Sequence, residues 1–247
     1  MLTLAVEASE RRVATIFLNR PERGNAFDQT MLDELGETFA RLAVDPATQV
    51  VVLRAGGRHF CSGADLSARK AEPPTHAGHS LRDVLASLDA LPKPTIAVVH
   101  GAAVGGGAAF AACCDCVIAT DAAFFSIPEV RVGMPPLGVA PYMVRAMGHR
   151  AFRRYGLSGE RIGAAEALRI GLVHEVCSAE TLEETLARIT DAFLLSAPGA
   201  MRTLKSAVAQ LAANPEAALP GHDPKTAEAV EGIASFREKR KPSWYPK

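Results

Sequence analysis

The feature that most constrains the fold of this chain is the run of three glycines at residues 105–107, which separates two apolar segments. Before it, Thr95–Val99 is β-branched and lacks polar alternation, as a buried strand does. After it, residues 108–114 contain only Ala, Phe and Cys and predict a buried helix. Because glycines have no β-carbon, a ligand can approach the backbone closely there. The free N–H groups and the dipole of the helix start favour an anion or a developing oxyanion.

Length, charge and cysteine content narrow the classes to which the chain can belong. Its 247 residues suffice for one large domain or a domain with a helical appendage, and 27 basic residues balance 27 acidic ones. This neutrality disfavours attachment to nucleic acid or to an anionic membrane. No apolar run predicts a signal peptide or a membrane span. Of the five cysteines, Cys113 and Cys116 have CxxC spacing, but the chain has no second pair to complete a CxxC…CxxC zinc motif. We therefore expect reduced thiols in a cytoplasmic protein and no metal site.

The hydrophobic pattern changes along the chain from mixed α/β to helical near residue 180. Asp28 is the predicted N-cap of an amphipathic helix that runs to about Val44. We predict an α/β core over residues 1–190 and a helical C-terminal region over residues 191–247, rather than two independent domains. The predicted strands are 2–6, 13–18, 50–53, 95–99, 117–119, 124–127 and 172–176, and the predicted later helices are 139–147, 150–157, 164–170, 179–196, 199–212 and 225–239.

A second glycine-containing loop, FCSGADL at residues 60–66, occupies an equivalent position after the strand at 50–53. Each of the two loops is predicted to lead from an apolar strand into a helix. If the two strands are parallel neighbours, both loops emerge at one edge of the sheet, where ligands of open α/β sheets bind. One backbone N–H group from each loop would then converge on a single oxygen. Neither loop matches a dinucleotide-binding or phosphate-binding motif, so both of those functions are disfavoured.

Six segments resemble the enoyl-CoA hydratase/isomerase (crotonase) family in their order and spacing, over essentially the whole chain. The resemblance implies a ClpP/crotonase-like α/β fold, with a ββα superhelical core and a helical C-terminal region. It also implies a homotrimer or a dimer of trimers assembled through the C-terminal helices. The segments are LNRPERGNAF at 18–27, FCSGADL at 60–66, GAAVGGG at 101–107, IPEVRVGMPP at 127–136, GLSGERIGAAEALRIGLVHEV at 156–176 and EGIASFREKRKP at 231–242.

The family resemblance implies a catalytic site for an acyl-CoA thioester. By this resemblance, the N–H groups of Ala64 and Gly106 hold the thioester oxygen as an enolate forms, and Glu129 is the catalytic carboxylate. The apolar neighbours of Glu129 should raise its pKa, which suits a general base that works near neutral pH. The alternative is that Glu129 forms an ion pair with Arg131 or another surface cation.

The reaction stays open because the resemblance is incomplete at one position. Hydratases of the family commonly have a second glutamate where this chain has Ala109. The closest likeness is to bacterial single-glutamate hydratases of the methylglutaconyl-CoA type, so we favour hydration of a 2-enoyl-CoA. Double-bond isomerisation and an inactive acyl-CoA-binding scaffold are the alternatives. Leu137 occupies the position of the nucleophilic aspartate of the dehalogenase branch, which excludes dehalogenation.

The resemblance also suggests residues that surround the substrate. Coenzyme A is expected only as part of that substrate, without a separate cofactor. Asp65 is expected to cap a following helix more than to contact the acyl group. The predicted substrate-binding residues are Asp65, Leu66, Ala109, Leu137, Arg23 and Lys239, with Arg69 or Lys70 as further candidates for the CoA phosphates.

Overall fold

The computed structural model describes residues 3–67, 78–221 and 223–246 of the chain. The predicted residues Arg69 and Lys70 lie outside the described residues. The described strands are β1 (Leu4–Ala8), β2 (Val13–Leu18), β3 (Val50–Ala55), β4 (Thr95–Val99), β5 (Ala102–Val104), β6 (Cys116–Thr120), β7 (Phe124–Ser126), β8 (Ile162–Gly163) and β9 (Glu175–Cys177).

The described strands form two sheets. The larger has the order β1-β2-β3-β4-β6-β9, in which β1 is antiparallel to β2 and all the other neighbouring pairs are parallel. The smaller has the order β5-β7-β8, in which β5 and β7 are parallel and β8 is antiparallel to β7. The parallel pairing of β3 with β4 satisfies the condition under which the two glycine-containing loops share one edge.

Side chains satisfy free backbone N–H groups at the start of two helices in the first half of the chain. Asp28 accepts the N–H of Met31 at 3.0 Å, and Ser80 forms a capping box with Asp83. The helices are α1 (Gln29–Val44), α2 (Leu81–Asp89), α3 (Gly106–Ala112), α4 (Ala140–Ser158), α5 (Ala164–Arg169), α6 (Leu182–Leu195), α7 (Pro198–Ala213) and α8 (Ala227–Arg237), with 3₁₀ turns at Pro21–Arg23 and Glu129–Val132.

Both faces of the central strands β3 and β4 are largely buried, which explains their nearly uninterrupted apolar sequences. In β3, Val51 and Leu53 belong to one hydrophobic core, together with residues of α1, α2 and α3. Val50 and Val52 of the same strand belong to a second core, which α6 covers. In the described parts of the chain, we find no helix with the length and apolar character that a membrane span requires.

The structure corrects three local predictions. The Ala64-containing loop does not lead directly into a helix, because residues 65–67 form a turn. The glycine run does not follow β4 directly, because the short strand β5 lies between them. The two helices predicted at 139–147 and 150–157 form the single helix α4, interrupted at Gly148 with φ 77°. A domain boundary at residue 190 falls inside α6.

Candidate active site

Three loops meet at the carboxyl edge of β2, β3 and β4. We call them the NRP loop (residues 19–28), the Ala64 loop (residues 56–67) and the glycine run (residues 105–107). The side-chain amide of Asn25, which is fully buried, links the first two, donating to the carbonyl oxygens of Gly56 at 2.8 Å and His59 at 2.7 Å. The NRP loop therefore holds the start of the Ala64 loop in place through these two hydrogen bonds.

The Ala64 loop also pairs with β5, the strand that leads into the glycine run. Cys61 N–H donates to Ala102 O at 3.0 Å, and Val104 N–H donates to Cys61 O at 2.9 Å. A β-carbon on Gly107 would lie 2.5 Å from Cys61 O. The absence of a side chain at Gly107 is thus what allows the first turn of α3 to rest on the Ala64 loop.

The backbone N–H groups of Ala64 and Gly106 take no part in the hydrogen bonds that surround them in the described residues. Phe27 and Ala64 form an isolated β-bridge whose hydrogen bonds involve the residues on either side of Ala64. Phe27 N–H donates to Gly63 O at 2.9 Å, and Asp65 N–H donates to Phe27 O at 2.8 Å. Gly106 is the first residue of α3, where N–H groups have no partner within the helix. Within the described ranges, neither N–H finds an acceptor. Such preorganised donors suit an oxygen that becomes negative.

Glu129 begins the 3₁₀ turn that follows β7, and its carboxylate lies against the glycine run. A β-carbon on Gly105 would overlap Glu129 Oε1, and Gly105 itself has φ +54°. Both the space and the backbone conformation therefore require glycine at this position. The carboxylate consequently lies against the residue that precedes Gly106.

Glu129 is half-buried, and one oxygen of its carboxylate has no partner in the described part of the chain. Its Oε2 atom is buried and finds no hydrogen-bond partner among the described residues. Burial raises the pKa of Glu129, an effect only partly offset by its own backbone N–H. Arg131 donates instead to Ser158 O at 3.0 Å, and among the described residues Glu129 forms no ion pair with it. A buried carboxylate with a raised pKa has the properties of a general acid or base.

The smaller sheet connects Gly106 and Glu129. Val104 of β5 pairs with Ser126 of β7, and Gly105 N–H donates to Ser126 O at 2.8 Å. The backbone donor thus follows one strand by two residues and the carboxylate follows the adjacent strand by three. The distance between the Gly106 N–H group and the Glu129 carboxylate is therefore set by the pairing of two adjacent strands.

Asp65 forms part of an ion-pair network. Its Oδ2 lies 3.1 Å from the guanidinium of Arg20, with side chains 8% and 15% exposed. Arg20 also contacts Asp28 at 3.2 Å and donates to Ala26 O at 2.6 Å. Instead of capping a helix as expected, Asp65 accepts the N–H of Ser67 at 3.1 Å within a turn. Its carboxylate secures the loop that carries Ala64.

The remaining predicted substrate-binding residues lie at different depths. Ala109 is completely buried inside α3 and provides no titratable group at this position. Four other residues reach the surface, and their roles toward the substrate stay predictions. They are Leu66 and Leu137, which are 55% and 72% exposed, and Arg23 and Lys239.

Two residues that were given no role from sequence organise the site. Phe27 pairs with the backbone on both sides of Ala64, and Arg20 holds Asp65. Both belong to the segment LNRPERGNAF, which carried part of the family resemblance. Membership of that segment was the sequence feature that could have identified them. Local patterns could not, because the partners of Arg20 and Phe27 in the Ala64 loop lie more than 35 positions away in sequence.

Comparisons with known proteins agree on one family. The sequence profile of the family described as "Enoyl-CoA hydratase/isomerase" matches residues 8–247. A 2,3-dehydroadipyl-CoA hydratase of Escherichia coli K12 is 33% identical, with 97% of each chain covered. An enoyl-CoA hydratase of Alternaria alternata is 35% identical over 70% of this chain. The chain spans 58% to 64% of the length of three such Alternaria proteins.

The fold comparison extends the agreement to three dimensions. The crystal structure of an enoyl-CoA hydratase from Shewanella pealeana matches with a TM-score of 0.86 and 31% identity, covering 98% of this chain and 96% of that one. This similarity confirms the predicted crotonase-type α/β fold with its helical C-terminal region. Because the family profile spans nearly all of the chain, the protein belongs to the enoyl-CoA hydratase/isomerase family.

Proposed function

We propose that this protein adds water to the double bond of a 2-enoyl-CoA thioester, with Glu129 as its single acid and base. The observation that carries the proposal is the carboxylate of Glu129, which lies against Gly105 and has a buried, unpartnered oxygen. An unpaired carboxylate is costly to bury, so its retention beside two free N–H donors favours a role in chemistry. Coenzyme A enters only as part of the substrate in this proposal.

In the proposed reaction, the carboxylate of Glu129 takes a proton from water while the water oxygen bonds to C3 of the substrate. The electron pair of the C2–C3 double bond moves toward the thioester carbonyl, which becomes an enolate. The N–H groups of Ala64 and Gly106 stabilise that oxygen, each by about 3 kcal/mol in the transition state. Protonated Glu129 then delivers its proton to C2, and the carbonyl re-forms. One water is consumed and the carboxylate is regenerated.

The raised pKa of Glu129 supports both halves of this cycle. Burial destabilises the charged form, so the carboxylate is a stronger base than an exposed glutamate. Once protonated, the same group holds its proton until C2 is ready to receive it. A pKa that moves toward the operating pH balances the two roles.

Isomerisation is the second candidate, and the alanine at position 109 is the observation that favours it. Ala109 supplies no second acid, and Asp65 is held by Arg20, so the proposed chemistry relies on Glu129. One carboxylate is sufficient to remove a proton from C2 of a 3-enoyl-CoA and return it to C4 of the resulting dienolate. This route consumes no water and uses the same two N–H donors.

Two substrates distinguish the candidates. With crotonyl-CoA, a hydratase removes the absorbance of the conjugated enoyl thioester and yields 3-hydroxybutyryl-CoA. With a 3-enoyl-CoA, an isomerase creates that absorbance. Turnover of the 3-enoyl-CoA alone would replace hydration by isomerisation. Binding of a panel of enoyl-CoAs with no turnover of any of them would favour the inactive scaffold.

We also propose that the protein assembles as a homotrimer or a dimer of trimers through its C-terminal helices. Large apolar side chains on α7 and α8 are exposed, including Leu204 at 64%, Val208 at 55%, Val230 at 57% and Phe236 at 85%. Apolar surface of this kind commonly marks an interface. Sedimentation velocity would test the assembly, and a monomer at micromolar concentration would contradict it.

A further inference from the structure

Phe27 contacts both of the residues whose N–H groups are proposed to hold the thioester oxygen. Its backbone pairs with Gly63 and Asp65, the two neighbours of Ala64, at 2.9 and 2.8 Å. Its ring lies against the α-carbon of Gly106, since a β-carbon there would be 2.7 Å from Phe27 Cε1. Phe27 therefore spans the gap between the Ala64 loop and the first turn of α3.

The ring of Phe27 has little freedom to move. It meets the ring of Phe110 edge-to-face, with centroids 5.6 Å apart and an interplanar angle of 67°. Leu81 also lies close to Gly106, the residue against which the Phe27 ring packs. The side chain of Phe27 is buried in the main hydrophobic core, where close packing keeps side chains in single rotamers.

The backbone of Phe27 is also held in place from both sides. The guanidinium of Arg20 donates to the carbonyl of Ala26 and forms an ion pair with Asp28. The same guanidinium forms an ion pair with Asp65, the residue after Ala64. Arg20 therefore locks the two paired segments of the bridge together, with Phe27 between its contacts.

We propose that Phe27 is a positioning residue that sets the distance between the N–H groups of Ala64 and Gly106. This inference rests on the proposed oxyanion hole and adds the element that fixes its width. The backbone pairing of Phe27 orients Ala64, while the ring of Phe27 packs against Gly106 and fixes the position of the first turn of α3. Donors must lie 2.7–3.1 Å from the oxyanion, so a shift of α3 by a fraction of an ångström weakens one of them.

Replacing the ring should therefore reduce the polarisation of a bound thioester more than its binding. Phe27→Leu keeps the backbone pairing, because any residue can form it. The substitution removes the aromatic ring that packs against Gly106 at the start of α3. The CoA portion of the ligand does not depend on this spacing. We expect kcat to fall by about ten- to a hundredfold while KM changes little, as for small misplacements of catalytic groups.

The test uses the thioester of coenzyme A with dimethylaminocinnamic acid, a push–pull chromophore. Its absorption moves to longer wavelength when donors polarise its carbonyl oxygen. We expect a clear red shift with the wild-type protein and a smaller one with Phe27→Leu. Phe27→Met, which supplies a long, flexible apolar side chain without the rigid ring, should fold and lose part of the shift. The matched control is Phe39→Leu, since Phe39 is equally buried in α1 but belongs to none of the three loops.

Phe39→Leu should lower the melting temperature as Phe27→Leu does, yet keep the full red shift and the wild-type kcat. If Phe27→Leu and Phe27→Met keep the wild-type shift and kcat, Phe27 has only a packing role and the inference is overturned. If the wild-type protein binds the chromophore without any red shift, the oxyanion hole itself is wrong. That result rejects the role of Phe27 together with the proposed function, and so differs from a failure of the inference alone.

Discussion

The Ala64 loop and the Glu129 turn both contact the glycine run, but they are built in opposite ways. In the Ala64 loop, Asp65 is paired with Arg20, and the Asn25 amide joins the loop to its neighbour. In the turn at Glu129, a carboxylate oxygen is buried without a partner. The difference indicates a division of work. Paired polar groups hold a backbone donor in position, while the missing partner leaves Glu129 able to exchange a proton.

The largest effect should follow from removing the charge of Glu129. Glu129→Gln keeps the shape of the side chain but cannot accept the proton from water. We expect kcat to fall by about 10²–10⁴-fold, with unchanged affinity for a saturated acyl-CoA measured by calorimetry. Glu180→Gln, at an exposed glutamate, is the control and should be silent. Near-wild-type turnover by Glu129→Gln would show that Glu129 is not the acid and base of the reaction.

Breaking the paired half should reduce stability more directly than it reduces chemistry. Arg20→Gln leaves Asp65 and Asp28 without their cation, and loss of a partner from a buried ion pair costs about 3–5 kcal/mol. Urea unfolding measures this change. In the control Arg54→Gln, the partner Glu183 is 67% exposed, so we expect no more than about 1 kcal/mol. Equal effects of the two substitutions would refute the view that Arg20 braces the loop.

A smaller effect should follow from adding one methyl group where α3 meets the Ala64 loop. In Gly107→Ala the new β-carbon meets Cys61 O, which is backbone and cannot rotate away. We expect a loss of about 1–3 kcal/mol in the free energy of unfolding, together with reduced activity. Gly163→Ala is the matched control, because no atom lies within 4 Å of its added β-carbon. Similar unfolding curves for both variants would show that the contact is not tight.

The smallest effect concerns the pH dependence of the stability that Glu129 contributes. The pKa of Glu129 is raised in the folded protein, so its contribution to stability is present at low pH and is lost as pH rises through the folded pKa. Glu129→Gln does not titrate, so its stability relative to the wild type should increase from pH 4 to pH 8. Thermal unfolding of both proteins across this range provides the measurement. A constant difference would mean that burial does not perturb this carboxyl.

Local sequence patterns predicted the elements that local physics determines. Val13–Leu18, Thr95–Val99 and the helix after Asp28 have the predicted bounds, since burial on both faces and a capping side chain specify them. The shared sheet edge was predicted from the rule for parallel neighbours, but the glycine run reaches the Ala64 loop through β5 of the smaller sheet rather than directly from β4. The three-residue strand β5 is too short to leave a pattern.

The interior of the site depends on contacts that no local pattern records. Arg20 and Asp65 are 45 positions apart, and a charged pair at that distance looks like two solvated side chains. Phe27 precedes a helix cap and reads as an ordinary core residue. Burial of Glu129 Oε2 depends on the conformation of Gly105 as well as on its own turn. These properties arise when distant loops pack, so the sequence alone could indicate the participants but not their geometry.

The ladder between β5 and β7 makes the site modular. Adjacent strands lie about 4.8 Å apart whatever the length of the chain that connects them. The later part of α3 and β6 can therefore vary without separating the donor from the carboxylate. A change of residue at position 129, or one step along its turn, would redirect proton transfer to a different substrate carbon. The oxygen-binding backbone would stay where it is. Such a scaffold can acquire a new reaction through few substitutions, because the group that selects the reaction is not part of the structure that binds the oxygen.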